Sequence, residues 1–339
     1  MKANVLGWSF CSVVTLVVSS PVTAQSAGAS ATSLPASQIP DLVVPPNGIN
    51  LGSTSFNDGF STLEPGITVL QYFRHNHLNS ITDSNSHESS SFDDPRIDTT
   101  TSLTQFSITS PVTIGGNALG FDLLVPITRI DARFGNGGQR LADNGTKFGD
   151  LTFGPFLQFK PIMRNHRPIA SFRIALDVIA PTGSFNSRRD LNQSSGYWSI
   201  NPYVAWTALP AKGWEISGRA QYLYNFKTSK IPNAPEIPGF RFVDGQAGQL
   251  MWSNFTVTRE VASRVGLGLN GYALQQITND RINGISLPNT RRSAVYIGPG
   301  LYIDRLPNWR ININAYLPVK TRNLANGPQL NILFIVPIR

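Results

Sequence analysis

The sequence predicts an all-β fold, a transmembrane antiparallel up-and-down β-barrel of about twelve strands. Three observations carry this: one long two-faced stretch, a regular alternation of long and short connections, and an export signal without any membrane helix. The stretch is 213–227, GWEISGRAQYLYNFK. Trp214, Ile216, Gly218, Ala220, Tyr222, Tyr224 and Phe226 fall on one face, opposite Glu215, Ser217, Arg219, Gln221, Asn225 and Lys227, with Leu223 the exception. Soluble strands run about 5–6 residues, whereas a membrane-crossing strand needs ~9–11. Trp214 to Tyr224 spans roughly 34 Å, which at a tilt of ~40° gives a height of about 25 Å, that of an outer-membrane apolar band.

The chain opens with a secretory signal peptide over residues 1–24. Lys2 supplies the positive end, Val5–Val18 an apolar run too short for a membrane helix, and Val22-Thr23-Ala24 the small residues before cleavage at Gln25. The one cysteine, Cys11, leaves with it, which excludes disulfides and thiol chemistry in the mature chain. No later run is long and apolar enough for a membrane helix, and an exported membrane protein without helices must close into a barrel. Of 339 residues only 14% are charged, below the roughly 25% of soluble domains. The formal charge of +8 is scattered without a basic cluster or stacking motif, so nucleic acid is not an expected partner.

Residues 25–65 are rich in Ala, Ser, Pro and Gly, with turn chemistry at Pro45-Pro46-Asn47-Gly48. They read first as a loose periplasmic leader; the alternative is a partial plug in the barrel mouth. The barrel is expected over 66–339, with strands near 66–78, 99–114, 119–131, 148–161, 168–179, 197–208, 213–227, 246–259, 263–277, 292–304, 309–320 and 327–338. Connections after odd strands are long, as at 79–98 or 228–245, and those after even strands are short, as at 115–118 or 260–262. External loops alternating with periplasmic turns give this pattern, and it puts both termini in the periplasm. Trp214 and Trp309 then sit at the periplasmic rim, where indoles prefer the interface. Prolines 111, 126, 155, 202, 299 and 318 fall inside strands, which asks for bulges or shifted boundaries.

The order of several motifs resembles the outer-membrane transporter-like family of meta-pathway phenol-degradation proteins. Glu64-Pro65-Gly66-Ile67 before Gln71-Tyr72-Phe73 is similar to its Pro-Gly lead into the first strand. Gly149-Asp150 with Gly154-Pro155, then Ala180-Pro181-Thr182-Gly183, then Tyr197-Trp198 before Asn201-Pro202, follow its pattern. Gly213-Trp214-Glu215, and Gly266 through Gln275-Gln276 with Asn279-Asp280, resemble its later strands. The resemblance implies an outer-membrane barrel in contact with outer-membrane lipid and the barrel assembly machinery. It also implies passage or binding of small hydrophobic or aromatic solutes. One departure is the end, Val336-Pro337-Ile338-Arg339, where bacterial barrels usually finish on an aromatic residue.

Parity places Asp122, Lys160, Arg173, Asp177, Glu215, Arg219 and Arg310 in the lumen, because Arg or Lys on the lipid face costs ~2–4 kcal/mol at mid-membrane. These charges either pair across the interior and close it, or line a conducting path and set its selectivity. Inward Leu124, Leu223, Tyr272, Tyr296, Tyr302 and Tyr316 offer an apolar track for a hydrophobic solute. His75 and His77 share a face, and His87, Glu88, Asp93 and Asp94 lie near, but the spacing does not favour a metal. No Gly-x-Ser-x-Gly elbow accompanies the abundant serines, such as Ser80 and Ser89, so no enzyme is expected. No cofactor is expected either. A lipid-hydrolysing barrel and a structural or adhesive barrel working through its long loops are the alternative readings.

Overall fold

The computed structural model describes residues 34–135, 138–234, 237–306 and 309–338, with the fragments 8–9 and 15–16. The signal peptide expected over 1–24 otherwise lies outside the described residues. Twelve long strands form one closed antiparallel barrel. In chain order they are β1 (Gly66–Leu78), β2 (Arg96–Ile114), β3 (Asn117–Phe134), β4 (Leu151–Gln158), β5 (Arg167–Ala180), β6 (Ser199–Ala208), β7 (Trp214–Asn225), β8 (Leu250–Ala262), β9 (Val265–Gln276), β10 (Ser293–Leu306), β11 (Trp309–Arg322) and β12 (Gln329–Ile338). Each pairs with its sequence neighbours, and β12 closes onto β1 from Gln329↔Asn76 to Ile338↔Ile67. Closure leaves no unpaired sheet edge, which is what hydrocarbon demands of a β protein.

The alternation holds around the wall. On β7, Glu215, Ser217, Gln221, Leu223 and Asn225 are buried inside, while Trp214, Ile216 and Ala220 face out. On β12, Leu330 is exposed between buried Gln329 and Asn331, Leu333 is again buried, and Phe73 of β1 meets Phe334 edge-on at 6.2 Å. Boundaries shift where the period is broken. Strand β4 is shorter than its expected span, whereas β2 and β3 reach further outward. The prolines explain part of this. Pro111 lies in a bulge between Thr109 and Thr113, and pairing with one neighbour lapses at Pro126, Pro155, Pro202 and Pro299. A residue without an N–H thus sits where no ladder bond is made.

The long connections gather at one end, taken as the outer one, and the short turns at the other. The chain from 34 to 65 departs from the expected periplasmic leader. Ile39, Leu42 and Val43 pack under the outer connections against Tyr197, Ala247, Ile282 and Leu287. The segment then descends through the lumen and reaches the other end at Gly66. Residue 34 therefore lies at the outer mouth rather than in the periplasm, while β12 ends on the periplasmic side beside the start of β1.

Candidate functional site

The lumen is built from two parts: the descending segment and the inward side chains it leaves uncovered. A polar barrel interior needs hydrogen-bonding partners, and the segment supplies them mostly through its backbone. The Asn50 carbonyl accepts from Trp252 Nε1 at 2.7 Å and Gln221 Nε2 at 3.3 Å, and the Gly52 carbonyl from Tyr316 Oη at 2.8 Å and Asn331 Nδ2 at 3.0 Å. Arg74 donates to the carbonyls of Ile49 and Leu51 at 3.3 and 3.2 Å. Gly52 N–H donates to Asn254 Oδ1 at 3.0 Å. Gly52 has φ of +68° and lies flat against Tyr316 and Tyr272, so a side chain there would meet both backbone strain and two rings.

The charges expected in the lumen are largely committed to this segment. Arg219 grips Asp58 through Nε at 3.0 Å and Nη2 at 2.5 Å, stacked over Tyr203. Glu215 accepts from Asn57 N–H at 2.5 Å and from the Ser217 hydroxyl at 2.6 Å. Arg310 stacks over Tyr302, and the Asn57 amide, turned with its oxygen toward Arg310, accepts from both terminal nitrogens at 2.6 and 2.7 Å. Arg173 pairs with Asp122 and stacks over Phe156, both partners being buried. So the ion pairs run along the wall and onto the segment rather than across an empty bore. Lys160 departs from its expected place: β4 ends at Gln158, and Lys160 is exposed in the turn, its amide N–H donating to Asn117 Oδ1.

The apolar track is also occupied. Leu223, Tyr272, Tyr296 and Tyr316 form one buried cluster with Ile49 and Leu51 of the segment, and Tyr272 stacks on Tyr296 at 4.9 Å. Tyr302 takes Phe56 edge-on at 5.3 Å. Leu124 of that expected set lines open space.

Several residues that hold the segment escaped the sequence reading. Arg292 is the largest: at 1% exposure it bridges Asp41 of the segment at 2.8 Å and Asp280 of the 277–292 connection at 2.7 Å, and donates to Gln276 Oε1 at 2.6 Å. Arg74 obeys inward parity on β1, and Arg292, just before β10, continues that strand's inward parity, so a signal existed. Their partners Asp41, Ile49 and Leu51 lie far away in sequence and gave none.

What the segment leaves open lies mainly toward β1–β6, although Gly59 still bonds to Gln158 and Thr207 there. An upper cavity of about 60 Å³ runs past Leu124, Asp122, Asp177, Tyr203 and Arg219. A wider lower cavity of about 260 Å³ opens past Ser107, Arg173, Leu333 and Ile335. Tyr72, Gln105, Thr54 and Arg219 line both, and Tyr72 Oη donates to Gln105 Oε1 at 2.9 Å between them. Asp177 Oδ1, Asp122 Oδ1 and Arg173 Nε are buried without a hydrogen-bond partner among the described residues. Such groups are costly unless solvent or solute meets them.

His75 and His77 do share a face, but it is the outward one, where they contact Thr100 Oγ1 at 3.0 Å and Asp98 Oδ1 at 2.7 Å. No metal-holding group of three or more His, Cys, Asp or Glu occurs among the described residues. In the outer connections, Asp83 accepts the amide N–H groups of Asn85 and His87 at 2.8 and 2.9 Å, and the His87 bond foremost holds its carboxyl below the usual range. At Asp150, burial pushes the carboxyl up despite hydrogen bonds from Gly183 and Ser195.

A family model described as the putative MetA-pathway of phenol degradation matches residues 78–334. Among solved structures, the crystal structure of the COG4313 outer membrane channel from Pseudomonas putida F1 superimposes with a TM-score of 0.68 at 14% identity, covering 83% of this chain and 98% of that one. The β domain of the Bordetella autotransporter BrkA is similar at a TM-score of 0.46 and 12% identity, covering 81% and 100%. A search of curated proteins returns no match.

Proposed function

Since the chain belongs to the family of the putative MetA-pathway of phenol degradation, we propose that this outer-membrane barrel channel passes small hydrophobic or aromatic compounds without covalent chemistry. The observation that carries the reading is the pair of cavities meeting at Tyr72 and Gln105 between the segment and the wall. Their lining is mixed. Tyr203, Leu124 and Ile179 offer apolar and aromatic surface, and the free Asp177 oxygen offers an acceptor. A flat solute with an apolar body and one hydrogen-bond donor matches that lining better than a sugar does. The upper cavity is too tight for such a solute as it stands, so passage requires the segment or the Tyr72–Gln105 contact to shift.

Solute flux into liposomes carrying the refolded mature chain tests this, with phenolic and aliphatic solutes compared against a charged sugar. Faster passage of the phenolic and aliphatic solutes is expected, and Asp177→Ala slows the phenolic ones selectively. No flux of any solute from a folded, inserted chain overturns the channel reading. Lipid hydrolysis is then the next activity to assay.

A further inference from the structure

The membrane-facing wall carries a transverse groove across β6 to β11. Its floor is one row of paired residues crossing six strands: Val204, Ala220, Ser253, Ala273, Val295 and Lys320. Three consecutive small side chains, Ala220, Ser253 and Ala273, make the depression. Its outer bank is the next row, where Tyr222, Met251 and Gln275 project. Its inner bank is aromatic: the Trp206 ring lies over Gly218 and the Phe255 ring packs against Gly271.

The groove is apolar along its length and cationic at one end only. Lys320 closes the row, Arg322 stands beside Ser293 on the next, and Arg291 precedes β10 at the same rim. No carboxylate pairs with Lys320 or Arg322 among the described residues, and Arg322 Nε is buried without a hydrogen-bond partner. Asp280, the acidic residue of the adjoining connection, is turned inward and spent on Arg292. An unpaired cluster of cations at the outer edge of a lipid-facing wall is complementary to phosphate, and the small-residue trough below it fits an acyl chain.

We propose that this groove holds a phosphorylated glycolipid of the outer leaflet, with its phosphate on Lys320 and Arg322 and an acyl chain across Ala220, Ser253 and Ala273. Lys320 and Arg322 are then ligand contacts, and Met251 and Phe255 are the banks that keep the chain in register. The site lies on the outer surface of β6–β11 and is independent of any path through the lumen.

The test is native mass spectrometry of the full mature chain in detergent, titrated with bisphosphorylated lipid A and with its dephosphorylated form. Retention of the bisphosphorylated lipid is expected. Lys320→Ala with Arg322→Ala should weaken it roughly twentyfold. Ala273→Phe, which fills the trough, should also weaken it, and heat-modifiable gel migration checks that each variant is folded. The two rim substitutions leave the barrel interior untouched, so they decide the matter even where the trough variant misfolds. Equal retention of the dephosphorylated lipid, or unchanged binding by the rim variant, overturns the proposal. So does a lipid-free dimer that Ala273→Phe disrupts, because the occupant would then be a second copy of this chain.

Discussion

Arg292 shows how much a single side chain bears in this interior. Its guanidinium is almost fully buried and pairs with two buried carboxylates, Asp41 and Asp280, from distant parts of the chain. Replacing it by methionine leaves both carboxylates without their cation, a loss of about 3–5 kcal/mol for a broken buried pair. The head of the inner segment should then detach, read as faster amide exchange over residues 39–51. Adding Asp41→Asn and Asp280→Asn should return much of the protection, since no orphaned charge remains. Asp83 offers a gentler case in the outer connections. Its carboxyl is held below the ordinary value of 3.8 by the amides it accepts. Its contribution is therefore present above the ordinary carboxylate range and is lost as pH falls through the lowered folded value. Amide exchange at Asn85 and His87, corrected for intrinsic rates, should quicken on acidification below that range, and Asp83→Asn should remove the dependence.

At the scale of elements, the strands were legible because period-two alternation is a local property. Parity also sent Asp122, Arg173, Asp177, Glu215, Arg219, Tyr272 and Arg310 inward, where their side chains are found. The inner segment was not legible. Residues 34–65 carry no repeating period, and their order comes from backbone carbonyls meeting Trp252, Arg74 and Tyr316 on distant strands. Turn-rich composition looks the same whether the chain is loose or held by a wall. Lys160 went astray for a related reason: parity was extended past Gln158, where the ladder had already ended. Because none of the twelve strands pairs with the segment, the wall does not need it to close. Deleting residues 34–60 should leave a heat-modifiable barrel and raise single-channel conductance several-fold. Gly59→Val should act in the same direction more weakly, because a Cβ there would sit 2.4 Å from the Thr207 backbone nitrogen and force the segment off the wall.

Across the whole molecule, the interior is divided. The upper part of the segment is seated on Tyr272, Tyr296 and Tyr316, while the upper cavity runs mainly along β1 to β6 and the lower one reaches round to β12. Substitutions on the two sides should therefore separate two quantities that a simple bore would couple. On the open side, Gln105→Trp narrows the place where the cavities meet, and Gln105 hydrogen-bonds Tyr72 rather than the segment. Flux of small solutes should fall while amide exchange over 39–60 stays as it was. On the seated side, Tyr316→Ala removes the hydrogen bond to the Gly52 carbonyl and the ring beneath it, a large-to-small change of about 3–5 kcal/mol. Exchange over the segment should then quicken, and flux should rise and lose its preference for flat solutes. Paired measurement of flux and exchange on both variants checks the division. If Gln105→Trp loosened the segment, or if Tyr316→Ala left it protected while closing the path, the two halves of the lumen would be acting as one constriction.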